Sequence, residues 1–369
     1  MTETTTETTA GTMMDTVTGV PRGSGEGRPS SEHAASGPAL PQGARVVVTG
    51  ASGLLGGSVA RRLVQEGYAV TTFQRGAAGI PGAREVRGSL TDAEAVRDLM
   101  QGQDALVHMA AKVSVSGELR DFVEVNVRGT QRILDAAEAA GVRDVLHVSS
   151  PSVAHSGDSL VGVGAQPADP AHAVGHYART KAESELLALD RERSGMRVLV
   201  LRPHLVWGPG DGQLTRRIVQ RAQSGRMPIL GSGAALVDTI YIDNAVDAFA
   251  AALRRLPAIH GQSLVLTNGE PRPIGELITG MARAGGAPAP RLRIPPRLAM
   301  VAGWAVEKVW ALGEHDDEPP MTRFLAEQLS TAHWFDQRQT RSALAWTPRI
   351  SIDDGFAALA EHVRQTGGV

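Results

Sequence analysis

The stretch GHYARTKAE, residues 175–183, carries a phenol and an ammonium four positions apart, Tyr177 and Lys181. On a helix that spacing puts both on one face. The chain has three tyrosines and three lysines, its basic charge being otherwise arginine, so the pairing is informative but not decisive alone. An unperturbed phenol titrates near ~10, and a neighbouring ammonium favours the phenolate and lowers that value. A shift of about two or three units brings such a phenol within reach of acid–base catalysis near neutrality. Just upstream, DVLHVSS (144–150) ends in Ser149 and Ser150, hydroxyls able to bond a carbonyl or alcohol oxygen. Without the Tyr–Lys pair they would read as strand-end serines capping a turn.

A second chemistry is written near the start. VVVTGASGLLGGSVARRL spaces Gly50, Gly53 and Gly56 as G-x-x-G-x-x-G between an apolar run and an amphipathic one. Glycines there allow a tight turn, a close approach of backbone N–H groups to a pyrophosphate, and tight helix packing. The helix N-terminus adds about half a positive charge. This predicts dinucleotide binding, against the plainer reading of an ordinary tight turn. An Asp or Glu about 20 residues on grips the ribose of NAD. Here Gln74 and Arg75 stand instead, so no carboxylate repels a 2′-phosphate and a guanidinium can bind one. NADP(H) is expected over NAD(H), although Arg75 also reads as one more solvated arginine.

The elements that must position these residues alternate. ARVVVTG (44–50), AVTTFQR (69–75), REVRGSL (84–90), DALVHMAA (104–111), DVLHVSS (144–150) and RVLVLRP (197–203) read as strands. Between them LGGSVARRLVQEG (55–67), TDAEAVRDLM (91–100), DFVEVNVRGTQRILDAAEAAG (121–141) and HYARTKAESELLALDRERSG (176–195) read as helices. That cadence predicts an α/β chain with a doubly wound parallel sheet, of the Rossmann kind. After Pro203 the cadence breaks. Helix 211–225 departs from it, 238–256 (strand then helix) and strand 262–268 return to it, and Pro-rich loops with short helices follow. The expected division is a tail (1–42), a dinucleotide-binding domain (43–204 plus about 238–268) and a smaller, mostly C-terminal substrate lobe (205–237 plus 269–369).

Composition narrows the function. The 369 residues are 42% hydrophobic and 21% charged, with net charge −2, which gives no basic field for nucleic acid. The chain has no cysteine, which excludes disulfides and thiolate metal sites and fits a cytoplasmic enzyme. The Thr-, Ser-, Gly- and Pro-rich tail cannot bury enough apolar surface to order itself, and it lacks the basic and apolar regions of a signal peptide. No uncharged apolar run reaches membrane-spanning length. RLAMVAGWAVEKVWAL (297–312) is too short and too charged to span, but it suits peripheral membrane contact or the cover of an apolar pocket. In it Leu298, Val301, Ala305, Val309 and Leu312 form one stripe, with Met300 and Trp304 on a second face, and the plain reading is a helix buried in its lobe. HAVGH spaces His172 and His176 as a metal pair but brings no third ligand, so no metal is expected. GEHDDEPP (313–320) reads as a solvated acidic loop, and RRIVQRAQSGR (216–226) as a helix whose basic side faces solvent, with contact to a substrate carboxylate as the alternative.

These motifs together resemble the extended short-chain dehydrogenases/reductases, of the NAD-dependent epimerase/dehydratase superfamily, over residues 44 to about 365. TGASGLLG resembles the cofactor loop, which adds Ser52, Leu54 and Leu55 to its three glycines. VHMAA resembles the fourth-strand signature, implying Ala110, Ala111 and Lys112, and NVRGT the long-helix signature with Asn126. YARTK resembles the catalytic helix, and LRPHLVWGPGD the segment whose Pro203 and Leu205 would flank the nicotinamide. The resemblance implies a Ser–Tyr–Lys mechanism. Ser150 would orient the substrate, Tyr177 would be the acid/base, and Lys181 would hold the ribose and lower the phenol's pKa. Many members carry an Asp at the third strand's end to contact adenine; here Ser89 and the Leu90 backbone stand there.

Where nucleotide-sugar enzymes commonly carry an arginine for the diphosphate, this chain has Val237. That segment and SSPSV resemble the 3β-hydroxysteroid and sterol dehydrogenase branch, and EPPMTRFLAEQLSTAHWFD (318–336) resembles bacterial 2-alkyl-3-oxoalkanoate reductases. The resemblance implies an alcohol–ketone oxidoreductase acting on a bulky hydrophobic molecule of the 3β-hydroxysteroid or sterol kind. The alternatives are a 2-alkyl-3-oxoalkanoate, a nucleotide-sugar epimerase or dehydratase, or a non-catalytic cofactor sensor. It also implies a homodimer.

Overall fold

The computed structural model describes residues 39–114, 117–155, 157–310 and 322–369. Seven parallel strands run through the described residues: β1 Arg45–Thr49, β2 Ala69–Gln74, β3 Arg84–Arg87, β4 Ala105–His108, β5 Asp144–Val148, β6 Arg197–Pro203 and β7 Gln262–Leu266. Their order is β7-β6-β5-β4-β1-β2-β3, so the chain starts at the centre and winds outward both ways, the doubly wound arrangement expected. Valines and leucines fill both faces of the central strands, since a parallel sheet is covered by helices on each side.

On one face pack α1 (Leu54–Gln65) and α6 (Ile242–Ile259), in a cluster with Val46, Val48, Leu63 and Phe249. On the other pack α2 (Ala93–Met100) and α3 (Gly129–Ala139), in a cluster with Val47, Leu106, Ile133 and Leu134. The predicted long helix over 121–141 is not uniform. It begins at Leu119–Phe122, opens into a turn of π-helix at Val123–Arg128 and resumes as α3. Wider turns of this kind recur at functional sites.

The catalytic-helix candidate α4 covers Gly175–Asp190, close to the span expected. Beyond it, α5 (Leu214–Gln223), α7 (Ile274–Ala284) and α9 (Ile352–Thr366) pack together, with α8 at Pro296–Trp310. A small second sheet joins Leu160–Val163, His333–Phe335, Leu236–Val237 and Arg272–Pro273. The sequence reading had placed none of these strands.

The buried helix predicted at 297–312 is corrected. Among the described side-chain positions of α8 only Ala299 and Gly303 are buried, while Leu298, Val301 and Trp304 are 61%, 65% and 54% exposed. The Val309 side chain, Leu312, the acidic loop 313–320 and tail residues 1–38 lie outside what is described. Leu40 packs partly buried against the core. Among the described residues no helix is long and apolar enough to cross a membrane.

Candidate active site

A cleft of about 1750 Å³ opens along the carboxyl ends of the strands, where an open α/β sheet holds its ligands. Its floor is the loop between β1 and α1. Gly50 has φ +76°, and a Cβ there would meet the Ala110 backbone at 2.9 Å. A Cβ on Gly56 would lie 2.3 Å from the Gly50 carbonyl oxygen. These two glycines are required by the protein's own backbone. Gly53 differs: its Cβ would meet nothing closer than 3.5 Å, yet it lines the cleft as N-cap of α1 with no side chain capping the helix. Its smallness leaves room beside the open helix N-terminus, the place for an anionic phosphate. Ser52, Leu54 and Leu55 line the same wall. The residues therefore fit a dinucleotide.

At the end of β2, Arg75 is exposed along the cleft, and Gln74 is buried with its Oε1 unpartnered. The nearby Glu85 carboxylate is turned away. It accepts the Ala78 and Gly79 N–H groups and an Arg87 bond, which hold it at about 2. Ser89 and Leu90 line the cleft as predicted, but Ser89 is engaged in its own turn, its Oγ 2.8 Å from Thr91 Oγ1 and accepting the Thr91 N–H.

Beyond β4, Ala110, Ala111 and Lys112 form the next wall. Thr49 Oγ1 accepts the Met109 and Ala110 N–H groups and so turns its proton to His108 Nδ1 at 2.9 Å. His108 Nε2 then donates to Thr130 Oγ1, which donates to the Asn126 carbonyl. Burial keeps this imidazole neutral, at about 3. Asn126 is the one predicted cofactor residue that does not line the cleft. From the π-turn its amide accepts the Lys112 N–H at 2.7 Å and donates to the Lys112 carbonyl and to Thr180 Oγ1 on α4. It fixes one wall against the catalytic helix. His108 was missed as a positioning residue; its place inside VHMAA was the only signal.

Ser150, Tyr177 and Lys181 meet along the cleft. Ser150 caps the short 3-10 turn Pro151–Ala154. Its Oγ accepts the Ser152 N–H at 3.3 Å and the Ser152 hydroxyl at 2.9 Å, so its own proton is left to donate. Ser149 is buried behind it with an unpartnered hydroxyl. Lys181 is buried and donates to the Val148 carbonyl at 2.5 Å; burial draws it down to about 8 against the pull of Glu185. Tyr177 corrects an expectation: burial pushes its phenol up to about 12, opposed by the Ser150 hydroxyl, and the ammonium does not lower it. Desolvation is the largest cause, and Lys181 Nζ is turned to the strand-end carbonyl of Val148.

Pro203 and Leu205 line the cleft facing this group, Leu205 with φ +46°, a conformation uncommon for a leucine. Val237, the site of the missing arginine, is 1% exposed and lies in the second sheet. His172 is held by Asp169 at 2.7 Å, and among the described residues no group of acids and histidines is placed to hold a metal.

Residues 46–266 match the model of the NAD dependent epimerase/dehydratase family. The chain belongs to that family. It is 36% identical over 323 residues to a 2-alkyl-3-oxoalkanoate reductase of Stenotrophomonas maltophilia, covering 85% of this chain and 98% of that protein. It is 31% identical over 269 residues to 3beta-hydroxysteroid-dehydrogenase/decarboxylase isoform 1 of Arabidopsis thaliana, covering 69% of this chain and 61% of that one. MoeE5 in complex with UDP-glucose and NAD shares the fold, with TM-score 0.69 and 23% identity over 88% of this chain and 100% of that chain. The family chain is thus an oxidoreductase scaffold of the NAD-binding kind, and its named relatives are reductases and dehydrogenases.

Proposed function

We propose that this family member reduces the ketone of a bulky 2-substituted 3-oxo acid to a secondary alcohol, with NADPH as the hydride donor. The observation that carries it is the convergence of Ser150, Tyr177 and Lys181 on one cleft that also holds the glycine loop. A bound nicotinamide supplies the hydride. The chain's residues do the rest. Ser150, its lone pairs already occupied by Ser152, donates to the substrate oxygen and orients it. Tyr177 keeps its proton across the working pH range and gives it to that oxygen as negative charge develops there. Lys181 Nζ lies at the end of β5, within the cleft wall that would hold the ribose. Arg75 supports the 2′-phosphate, with Glu85 engaged elsewhere.

The 3-oxo acid reading rests on the reductase relative, which this chain matches over more of its length and at higher identity than the sterol relative. A 3β-hydroxysteroid is the second reading, favoured by several steroid and sterol dehydrogenase relatives at 25–31% identity. A nucleotide sugar is disfavoured because Val237 is buried in register with His333 and offers a diphosphate no charge. Tyr177→Phe is expected to keep cofactor affinity while kcat falls by about 10²–10⁴-fold. Purified protein assayed with 2-alkyl-3-oxo acids, 3β-hydroxysteroids and nucleotide sugars, with NADPH and NADH, tests the substrate. Full turnover in the phenylalanine variant would remove the mechanism.

A further inference from the structure

Four histidines line the same cleft, and three of them, His155, His204 and His333, have none of the roles above. His155 follows the turn that Ser150 caps, His204 follows Pro203, and His333 opens a strand of the second sheet. That sheet gathers them: His333 is in register with Leu160 on one side and Val237 on the other. The His155 and His333 rings meet edge to face with centroids 4.9 Å apart, and His204 lies 6.0 Å from His333. His155, His204 and His333 are 2%, 8% and 3% exposed.

Their partners fix most of the protons. Thr331 Oγ1 donates to the Glu327 carbonyl, so it accepts from His333 Nε2 at 2.9 Å. His204 Nδ1 donates to the Asp238 carbonyl at 2.6 Å. Burial holds His333 at about 3 and His204 at about 4, so each is neutral and keeps a lone pair on its other nitrogen. His155 is the odd member. Among the described residues neither of its ring nitrogens has a hydrogen-bond partner, and the Asp158 backbone lies near without reaching bonding geometry. A buried imidazole with both nitrogens unmet is destabilising unless a ligand meets them.

We propose that His155, backed by His204 and His333, is the subsite that receives the carboxyl group of a 2-substituted 3-oxo acid; it rests on the substrate class proposed above. A carboxylate accepts the N–H of a neutral imidazole in a charge-assisted hydrogen bond, and a carboxyl that keeps its proton donates it to the other ring nitrogen. A cluster rich in lone pairs with a single uncommitted N–H suits a group that shares a proton. It carries no fixed positive charge and so disfavours a diphosphate.

The test compares kcat/KM for a 2-alkyl-3-oxo acid, the analogue with CH₂OH in place of the carboxyl, and the ketone lacking it. The acid is expected to exceed the ketone by about 10- to 100-fold, the worth of one charge-assisted hydrogen bond. His155→Leu is expected to erase that ratio while leaving ketone turnover intact, and His155→Gln, which can donate and accept, to restore part of it. A purely structural role would lower all three substrates together and overturn the proposal. So would an acid no better than the ketone, a CH₂OH analogue equal to the acid, or a ratio unchanged in both variants. If the parent enzyme turns over all three equally, the subsite falls and the reductase reading stands. If it turns over none, the substrate reading falls and the subsite with it.

Discussion

Glu185→Gln tests how the catalytic helix is tied to the sheet. Glu185 stands one turn after Lys181 on α4, and its carboxylate accepts Arg202 Nε at 3.0 Å and Nη2 at 2.5 Å from β6. Ser263 on β7 donates to the same carboxylate at 2.6 Å, and Arg202 Nη1 binds the Gln166 carbonyl at 2.6 Å. Both side chains are essentially out of solvent, at 2% and 1% exposure. Removing one partner of a buried pair costs about 3–5 kcal/mol, because the other charge is left uncompensated. Glutamine keeps one acceptor oxygen, so about 2–4 kcal/mol is expected, read as a lower urea midpoint at unchanged slope.

The same change acts on Lys181, which Glu185 pulls upward. At about 6 Å and an effective dielectric of about 20, the bare attraction is roughly 3 kcal/mol, about two pKa units. Arg202 already offsets part of that field, so the ammonium is expected to titrate about one unit lower. If activity needs the protonated lysine, the basic limb of kcat/KM moves to lower pH by the same amount, measured from about pH 6 to 10. A basic limb that stays put or moves up, or a stability loss below about 0.5 kcal/mol, would refute the reasoning.

Two glycine substitutions separate backbone need from ligand need. Gly56→Ala puts a Cβ into the Gly50 carbonyl and is expected to cost more than about 2 kcal/mol of stability in urea titration, whereas Gly53→Ala should fold within about 1 kcal/mol of the parent. Gly53→Ala is nonetheless expected to weaken cofactor binding by at least about tenfold, seen by fluorescence titration, since its methyl occupies the phosphate's approach. Arg75→Ala is expected to lower NADPH affinity by about tenfold or more and leave NADH affinity unchanged; equal losses for both would remove the 2′-phosphate assignment.

The parallel sheet was legible because each strand is a short apolar run and each covering helix has its own period. The glycine loop was legible because Gly50 and Gly56 answer to the backbone itself, which leaves a fixed spacing in the chain. The shared face of Tyr177 and Lys181 followed from helix geometry, but the direction of the phenol's shift did not. That direction depends on how completely the fold buries the group and on Lys181 turning to the Val148 carbonyl, neither of which a spacing records. The π-turn that aims Asn126 inward leaves no period to read over six residues. The second sheet was invisible for a similar reason: its strands are two to four residues long and come from four distant segments. With it went the histidine cluster, whose members are His155, His204 and His333.

The ionisation of the site argues for a direction of reaction. Burial is the largest cause of six shifts in and behind the cleft wall: Tyr177 goes up, while Lys181, His108, His147, His204 and His333 go down. Each of these six shifts favours the neutral form of its group, while Arg75, Lys112, Asp121 and Glu124 bring charge to other parts of the cleft. With the phenol at about 12, roughly one Tyr177 in 10⁵ is a phenolate at pH 7. Alcohol oxidation needs that rare base to take the hydroxyl proton. Ketone reduction needs the abundant acid: as the carbonyl carbon gains hydride its oxygen becomes an alkoxide, a stronger base than any phenolate, so the proton moves downhill to it. The low dielectric that raises the phenol also strengthens its hydrogen bond, and that of Ser150, to the charge developing on that oxygen. A phenol raised by burial therefore fits the acid of the ketone reduction proposed above.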